Sequence, residues 1–103
     1  MVQYKVIASE TSDIDLHDIG RYISDQLAPM TVLQMIEAIG KALMSLSQMP
    51  YRCPLVNDEQ LAAMGYRCLP TKSYLAFFVI DEEMKTVCVE RILYARRDWL
   101  HIL

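Results

Sequence analysis

Val89-Glu90-Arg91-Ile92-Leu93-Tyr94-Ala95-Arg96-Arg97-Asp98-Trp99-Leu100 begins as a strand and ends as a basic, aromatic corner. Val87, Val89 and Leu93 alternate so as to enter a core, with Glu90, Ile92 and Tyr94 on the other face. Arg91 falls on the Val89 face and makes the alternation imperfect. Ala95 to Trp99 then breaks the pattern with three charges and the only tryptophan. Two readings stand side by side. In one, Arg97 and Asp98 are a solvated turn and Trp99 is a core anchor with its indole N–H bonded. In the other, the corner is a contact surface.

Upstream of it, Tyr74-Leu75-Ala76-Phe77-Phe78-Val79-Ile80 is nearly all apolar, as a central strand buried on both faces should be. Asp81 to Lys85 is a charged hairpin loop, and Thr86 to Tyr94 is the return strand. Tyr66-Arg67-Cys68-Leu69 is a short strand cut by Pro70. Gln3 to Ala8 alternates well enough for a first strand. Between the first strand and the last three lie two amphipathic helices. The first spans about Asp13 to Leu27, with Ser12-Asp13-Ile14-Asp15 resembling a capping box and the early acids suiting the helix N-terminus. Ala28-Pro29 stops it. The second spans about Met30 to Ser47, with Thr31 and Gln34 offering a cap and Leu33, Ile36, Ile39, Leu43 and Leu46 repeating every three or four residues. Met30, Met35, Met44 and Met49 lie along or beside it, either as core filling or as an adaptable partner groove. Met49 to Pro54 is a loop, and Glu59 to Met64 is about one helical turn closed by Gly65. The order predicts an α+β fold: an N-terminal strand, a two-helix hairpin and a three-stranded antiparallel meander completing a four-stranded sheet.

Composition sets the outer limits. The 103 residues make one domain, 1–103, with a core but no room for an elaborate cleft. Apolar content of 53%, three glycines and four prolines argue for a folded chain. No apolar run approaches the roughly 18 residues of a membrane span, and the N-terminus lacks signal-peptide architecture, so the expected address is cytoplasmic with no membrane partner. Cys53, Cys68 and Cys88 form no C-x-x-C pair and read as reduced thiols. His17 and His101 are too far apart to promise a zinc site, and no cofactor is expected. The net charge of −3 speaks against non-specific nucleic-acid binding. Residues 1–65 carry about −4 and residues 66–103 about +1, which allows a locally basic face late in the chain.

The element order, with Gly65-Tyr66-Arg67, Tyr74 to Ile80 and Arg91-Ile92-Leu93-Tyr94-Ala95-Arg96-Arg97-Asp98-Trp99, resembles the RelE/ParE superfamily of small bacterial toxins (the plasmid-stabilisation type) over essentially the whole chain. The resemblance implies the growth-inhibiting half of a type II toxin–antitoxin pair. Its partner would be a cognate antitoxin, through which it would meet operator DNA indirectly. The RelE-like branch cleaves messenger RNA on the ribosome; the ParE-like branch poisons DNA gyrase and is not an enzyme. For an RNA-cleaving site, which needs a base, an acid and positive charge around the phosphate, the catalytic candidates are Arg67, Arg96, Arg97 and His101. Leu75, however, stands where RelE-like nucleases carry a central arginine, and Leu69-Pro70 where a second lysine would be. The ParE-like pattern tolerates both departures and is favoured, with Tyr94, Arg96, Arg97 and Trp99 as contacts to target or antitoxin. ParE-like chains often carry a further basic tail, whereas these residues stop at Leu103. Arg67 has an alternative role in a cross-strand pair with Glu90, and His101 an alternative as a surface residue. The apolar load predicts poor solubility or a homodimer when the chain is alone. An inert relative kept for operon control is the remaining alternative.

Overall fold

The chain's last strand is hydrogen-bonded on both edges, and that placement sets the architecture. The computed structural model describes residues 2–26 and 28–103, without the side chains of Ser24 and Gln26. Seven elements follow in order: β1 (Lys5–Ala8), α1 (Glu10–Gln26), α2 (Pro29–Met44), α3 (Glu59–Ala63), β2 (Arg67–Thr71), β3 (Tyr74–Asp81) and β4 (Thr86–Tyr94). Short 3-10 turns follow α2 at Ser45–Ser47 and Pro50–Arg52, and another closes the chain at Trp99–His101. The sheet order is β1-β4-β3-β2. The meander is antiparallel as expected, but β1 runs parallel to β4, so the sheet is mixed.

Three local expectations are corrected. First, α1 starts at Glu10, not near Asp13; its expected end at Leu27 lies outside the described residues. Ser9 is the cap: its Oγ accepts from the Ser12 N–H at 3.0 Å, and the buried Ser12 hydroxyl donates to the Ser9 carbonyl. Ser9 wins over Ser12 because it also bonds β4. Its N–H donates to the Val89 carbonyl and its hydroxyl to the Glu90 carbonyl, both at 2.8 Å. Second, β2 runs through Pro70 to Thr71. An edge strand tolerates proline because one side of its ladder has no partner to lose. Third, β4 does not alternate simply. The register steps from Phe77↔Arg91 to Phe78↔Val89, leaving Glu90 as an inserted residue. This bulge sends Ile92 to the Val87 and Val89 face and Leu93 to the opposite one.

The sheet therefore has two covered faces. On the helix side Ile19, Ile23 and Ile39 pack over Phe78, Val89 and Ile92. On the other side Phe77 and Leu93 meet Val56, with Leu75, Tyr66 and Trp99 closing over them. Phe77 and Phe78 are adjacent in sequence, point to opposite faces, and are both fully buried. The apolar stripe predicted for α2 is not buried along its whole length: Ile39 is fully buried, whereas Leu33 is 58% exposed. Gly65, at φ 87°, ends α3 in a left-handed conformation, and the Asp58 carboxylate caps its start from the Leu61 N–H.

Because Ser9 caps α1 and ties it to β4, Ser9→Ala should cost about 1–2 kcal/mol in urea unfolding. Thr11→Ala, on the exposed side of the same turn, should stay within about 0.5 kcal/mol. Equal effects would return the helix start to Ser12.

Candidate functional site

The C-terminal corner is built by backbone hydrogen bonds that hold it against the β2–β3 hairpin. The Ala95 N–H donates to the Ser73 carbonyl at 2.9 Å, and the Arg97 N–H donates to the Tyr94 carbonyl at 3.0 Å. The Trp99–His101 turn then folds back, so that Trp99 lies on Phe77 with ring centroids 5.2 Å apart. Arg96 and Arg97 are exposed. Among the described residues neither guanidinium has a hydrogen bond or ion pair. The neighbouring Asp98 carboxylate is 2.5 Å from His101 Nδ1. Both arginines are thus left facing outward from one turn.

A cleft of about 540 Å³ opens on the helix side of this corner. Ile19 and Ile92 lie at its base, Tyr22, Tyr74 and Tyr94 provide its aromatic walls, and Arg97 and Asp18 supply opposite charges at its rim. The volume is that of a site for a small molecule or a few side chains. Tyr74 and Tyr94 meet edge to face at 5.8 Å. Tyr74 is buried, whereas Tyr22 is 68% exposed.

Asp15 closes the deep end. Its carboxylate accepts from Arg91 Nε at 2.8 Å, from Arg91 Nη2 at 3.0 Å and from the Ile92 N–H at 2.9 Å. Its hydrogen bonds raise the Arg91 pKa further. Neither Asp15 nor Arg91 stood among the sequence candidates. The signal was present in Arg91 itself, an arginine that broke strand alternation opposite an acid-bearing helix.

The other candidates lie apart from the cleft. Arg67 is registered with Phe78, four positions along β3 from Tyr74, or about 13 Å of strand. Its guanidinium donates to the Cys53 carbonyl at 2.7 Å and sits 4.9 Å from the Tyr51 ring centroid. The alternative pairing with Glu90 does not form, because β3 lies between β2 and β4. His101 is exposed and, among the described residues, its side chain engages Asp98 alone. Arg96, Arg97 and His101 therefore share the corner, and Arg67 does not join them. The three thiols are free, and burial raises each of their pKa values, Cys68 to about 11, which keeps them protonated and unreactive. Among the described residues no group of three or more His, Cys, Asp or Glu could hold a metal ion.

Over residues 6–99 the sequence matches the family described as the ParE toxin of type II toxin–antitoxin systems, parDE. The chain belongs to that family. Its fold is similar to a chain of the chromosomal ParDE toxin–antitoxin system from P. aeruginosa, with TM-score 0.77, 17% identity, and coverage of 93% of this chain and 100% of that one. It is also similar to a chain of the toxin–antitoxin complex RelBE2 from Mycobacterium tuberculosis, with TM-score 0.63, 26% identity, and coverage of 90% and 99%. No curated protein sequence matches. The protein is thus a RelE/ParE-superfamily toxin of the ParE kind, with the α+β sheet and helical pair of that fold.

In this ParE-family chain the end of the sheet away from the corner is tied by one carboxylate. Glu82, in the β3–β4 turn, accepts from Tyr4 at 2.8 Å, from Tyr51 at 2.7 Å and from Lys85. Lys85, Tyr51 and Tyr4, in that order, hold its carboxyl down to about 2. Tyr51 in turn carries Arg67, so the knot joins the residue before β1, the Pro50–Arg52 turn and β2.

A carboxyl lowered in the folded chain contributes stability above its ordinary value of 4.5, and the contribution fades as pH falls towards about 2. Glu82→Gln should therefore lower the Tm modestly at about pH 6, since the group is exposed. Scanning fluorimetry across pH should show that gap closing below about pH 4.5 and gone near pH 2. A gap that widens on acidification would contradict the assignment.

Proposed function

We propose that this chain is the growth-inhibiting half of a toxin–antitoxin pair, neutralised in the cytoplasm by a cognate antitoxin, and that its target is DNA gyrase. One observation carries the choice of target. Leu75, standing where the resemblance places the central arginine of RelE-like nucleases, belongs to an apolar cluster with Phe77, Leu93 and Trp99. That face of the sheet is filled by side chains, with Ile102 and Leu103 packed against the same cluster. A phosphate held there would lose water and meet no donor, which is unfavourable for an anion. Membership of the ParE family supports the same reading.

The unpaired arginines of the corner supply the contact chemistry. A guanidinium with no internal partner can form charge-assisted, bidentate hydrogen bonds with a carboxylate. Arg96 and Arg97 suit an acidic segment, of the target when the toxin acts and of the antitoxin when it is held, and the tyrosine-walled cleft beside them suits apolar side chains of the same segment. The exposed Tyr22, Met30 and Leu33 of the helical hairpin add apolar surface for the same partner. Left uncovered, that surface favours self-association, and the antitoxin would bring the toxin indirectly to operator DNA.

Pulse labelling after brief induction, in a bacterium lacking the adjacent gene, separates the readings. Thymidine incorporation should fall before methionine incorporation, and Arg97→Ala should relieve the growth arrest without lowering the Tm. An early fall in methionine incorporation would favour ribosome-dependent messenger RNA cleavage instead. Growth unchanged by the wild-type chain would identify an inert relative serving operon control.

A further inference from the structure

β1 pairs with β4 only as far as Val89, because the chain turns into α1 after Ala8. Beyond that point the outer edge of β4 has polar groups and no strand to bond them. The bulge at Glu90 falls at this place, and with it the change in phase that brings Ile92 and Tyr94 to the helix side. Without the bulge, a strand in phase with Val87 and Val89 would turn Tyr94 and the residues after it to the opposite face. The cleft would then lose Tyr94 and Arg97 together.

We propose that Asp15 is a positioning residue. By taking Arg91 and the Ile92 N–H at the bulge, it fixes the phase of β4 and so places Tyr94 and Arg97 in the cleft that meets the antitoxin. The inference rests on the reading of that corner as the contact surface. Three features support it. Asp15 accepts three hydrogen bonds from two adjacent residues of β4, immediately after the inserted one. Its side chain is 11% exposed and that of Arg91 23%, so water is a poor substitute for either partner. It also lines the cleft with Tyr94 and Arg97. Replaced by an amide, the group keeps one acceptor oxygen and turns a donor towards Arg91 and the Ile92 N–H, so both cannot be held and the inserted residue loses its tie to α1.

The test measures geometry and binding separately on the full chain. Wild type, Asp15→Asn, Arg91→Lys and Arg97→Ala are compared by the Tyr74–Tyr94 ring contact in nuclear Overhauser spectra. The same set is titrated with the product of the adjacent gene. Leu46→Val, which loosens the core in the turn after α2 next to the start of β1, serves as a stability control. Asp15→Asn should lose the ring contact and bind roughly tenfold more weakly. The control should lose Tm while keeping both the contact and the affinity. A ring contact retained in Asp15→Asn overturns the inference, whatever happens to binding. Should that variant not fold, Arg91→Lys decides, since it keeps the charge and loses the fork. If Arg97→Ala binds as wild type does, the contact reading fails, and the ring contact still decides the role of Asp15.

Discussion

The Asp15 carboxylate is the point at which helix and sheet are fitted to each other. A strand edge left without a neighbour must bond water, side chains or another element. Here α1 replaces β1 along β4: Ser9 bonds the Val89 and Glu90 carbonyls and Asp15 takes the Ile92 N–H. Six residues of helix rise about 9 Å and three residues of strand about 10 Å, so the two anchors on α1 match the spacing of their partners on β4. Two anchors at matched spacing fix the helix both along its axis and in rotation. Rotation decides which residues of α1 face the sheet, and Ile19 and Ile23 do so. The half-buried ion pair with Arg91 is better understood as fixing geometry than as adding stability, because desolvation offsets much of the attraction of such pairs.

The bulge that Asp15 holds has effects on both faces. It gives the helix face Ile92 and the opposite face Leu93, so neither face ends with a polar gap. The opposite face, which has no long helix over it, is closed by α3, the loop around Val56 and the C-terminal turn with Trp99. The tryptophan is thus a packing anchor, its indole N–H without a hydrogen bond among the described residues, within a corner whose arginines likewise have no partner among them. The two readings of the corner are not exclusive: Trp99 belongs to the packing, and Arg96 and Arg97 to the surface.

Much of this fold was legible in sequence. Strand against helix followed from periodicity: the apolar run from Tyr74 to Ile80 is the central β3, and the three-or-four repeat around Ile39 is α2. Gly65 ended α3 as its freedom of φ allows. What sequence missed was set by partners distant in the chain. Ser9 and Ser12 are equally good caps locally, and only the carbonyls of Val89 and Glu90 choose between them. An inserted residue in a strand leaves no mark except faulty alternation, and Arg91 supplied that mark without its meaning. The site was less legible than the fold for the same reason. Its cleft gathers Asp18, Tyr22, Tyr74 and Arg97 from three stretches of chain, and no local spacing links them.

The distribution of charge partners bears on what such a corner can do. Proton transfer needs an acid or base held within hydrogen-bond reach of a reacting group, near the positive charge that steadies the phosphate. Arg67 is committed to Cys53 and Tyr51, about 13 Å of strand from the start of the corner. His101 is engaged by Asp98, with its side chain 85% exposed, where no surrounding atoms fix a catalytic geometry. Among the described residues Arg96 and Arg97 carry positive charge with no hydrogen bond or ion pair. Under the proposed function the corner serves recognition, which needs only complementary charge and an apolar cleft beside it. Hydrogen bonds from Asp15 at the bulge and the ring contact of Tyr94 with Tyr74 set where those groups stand.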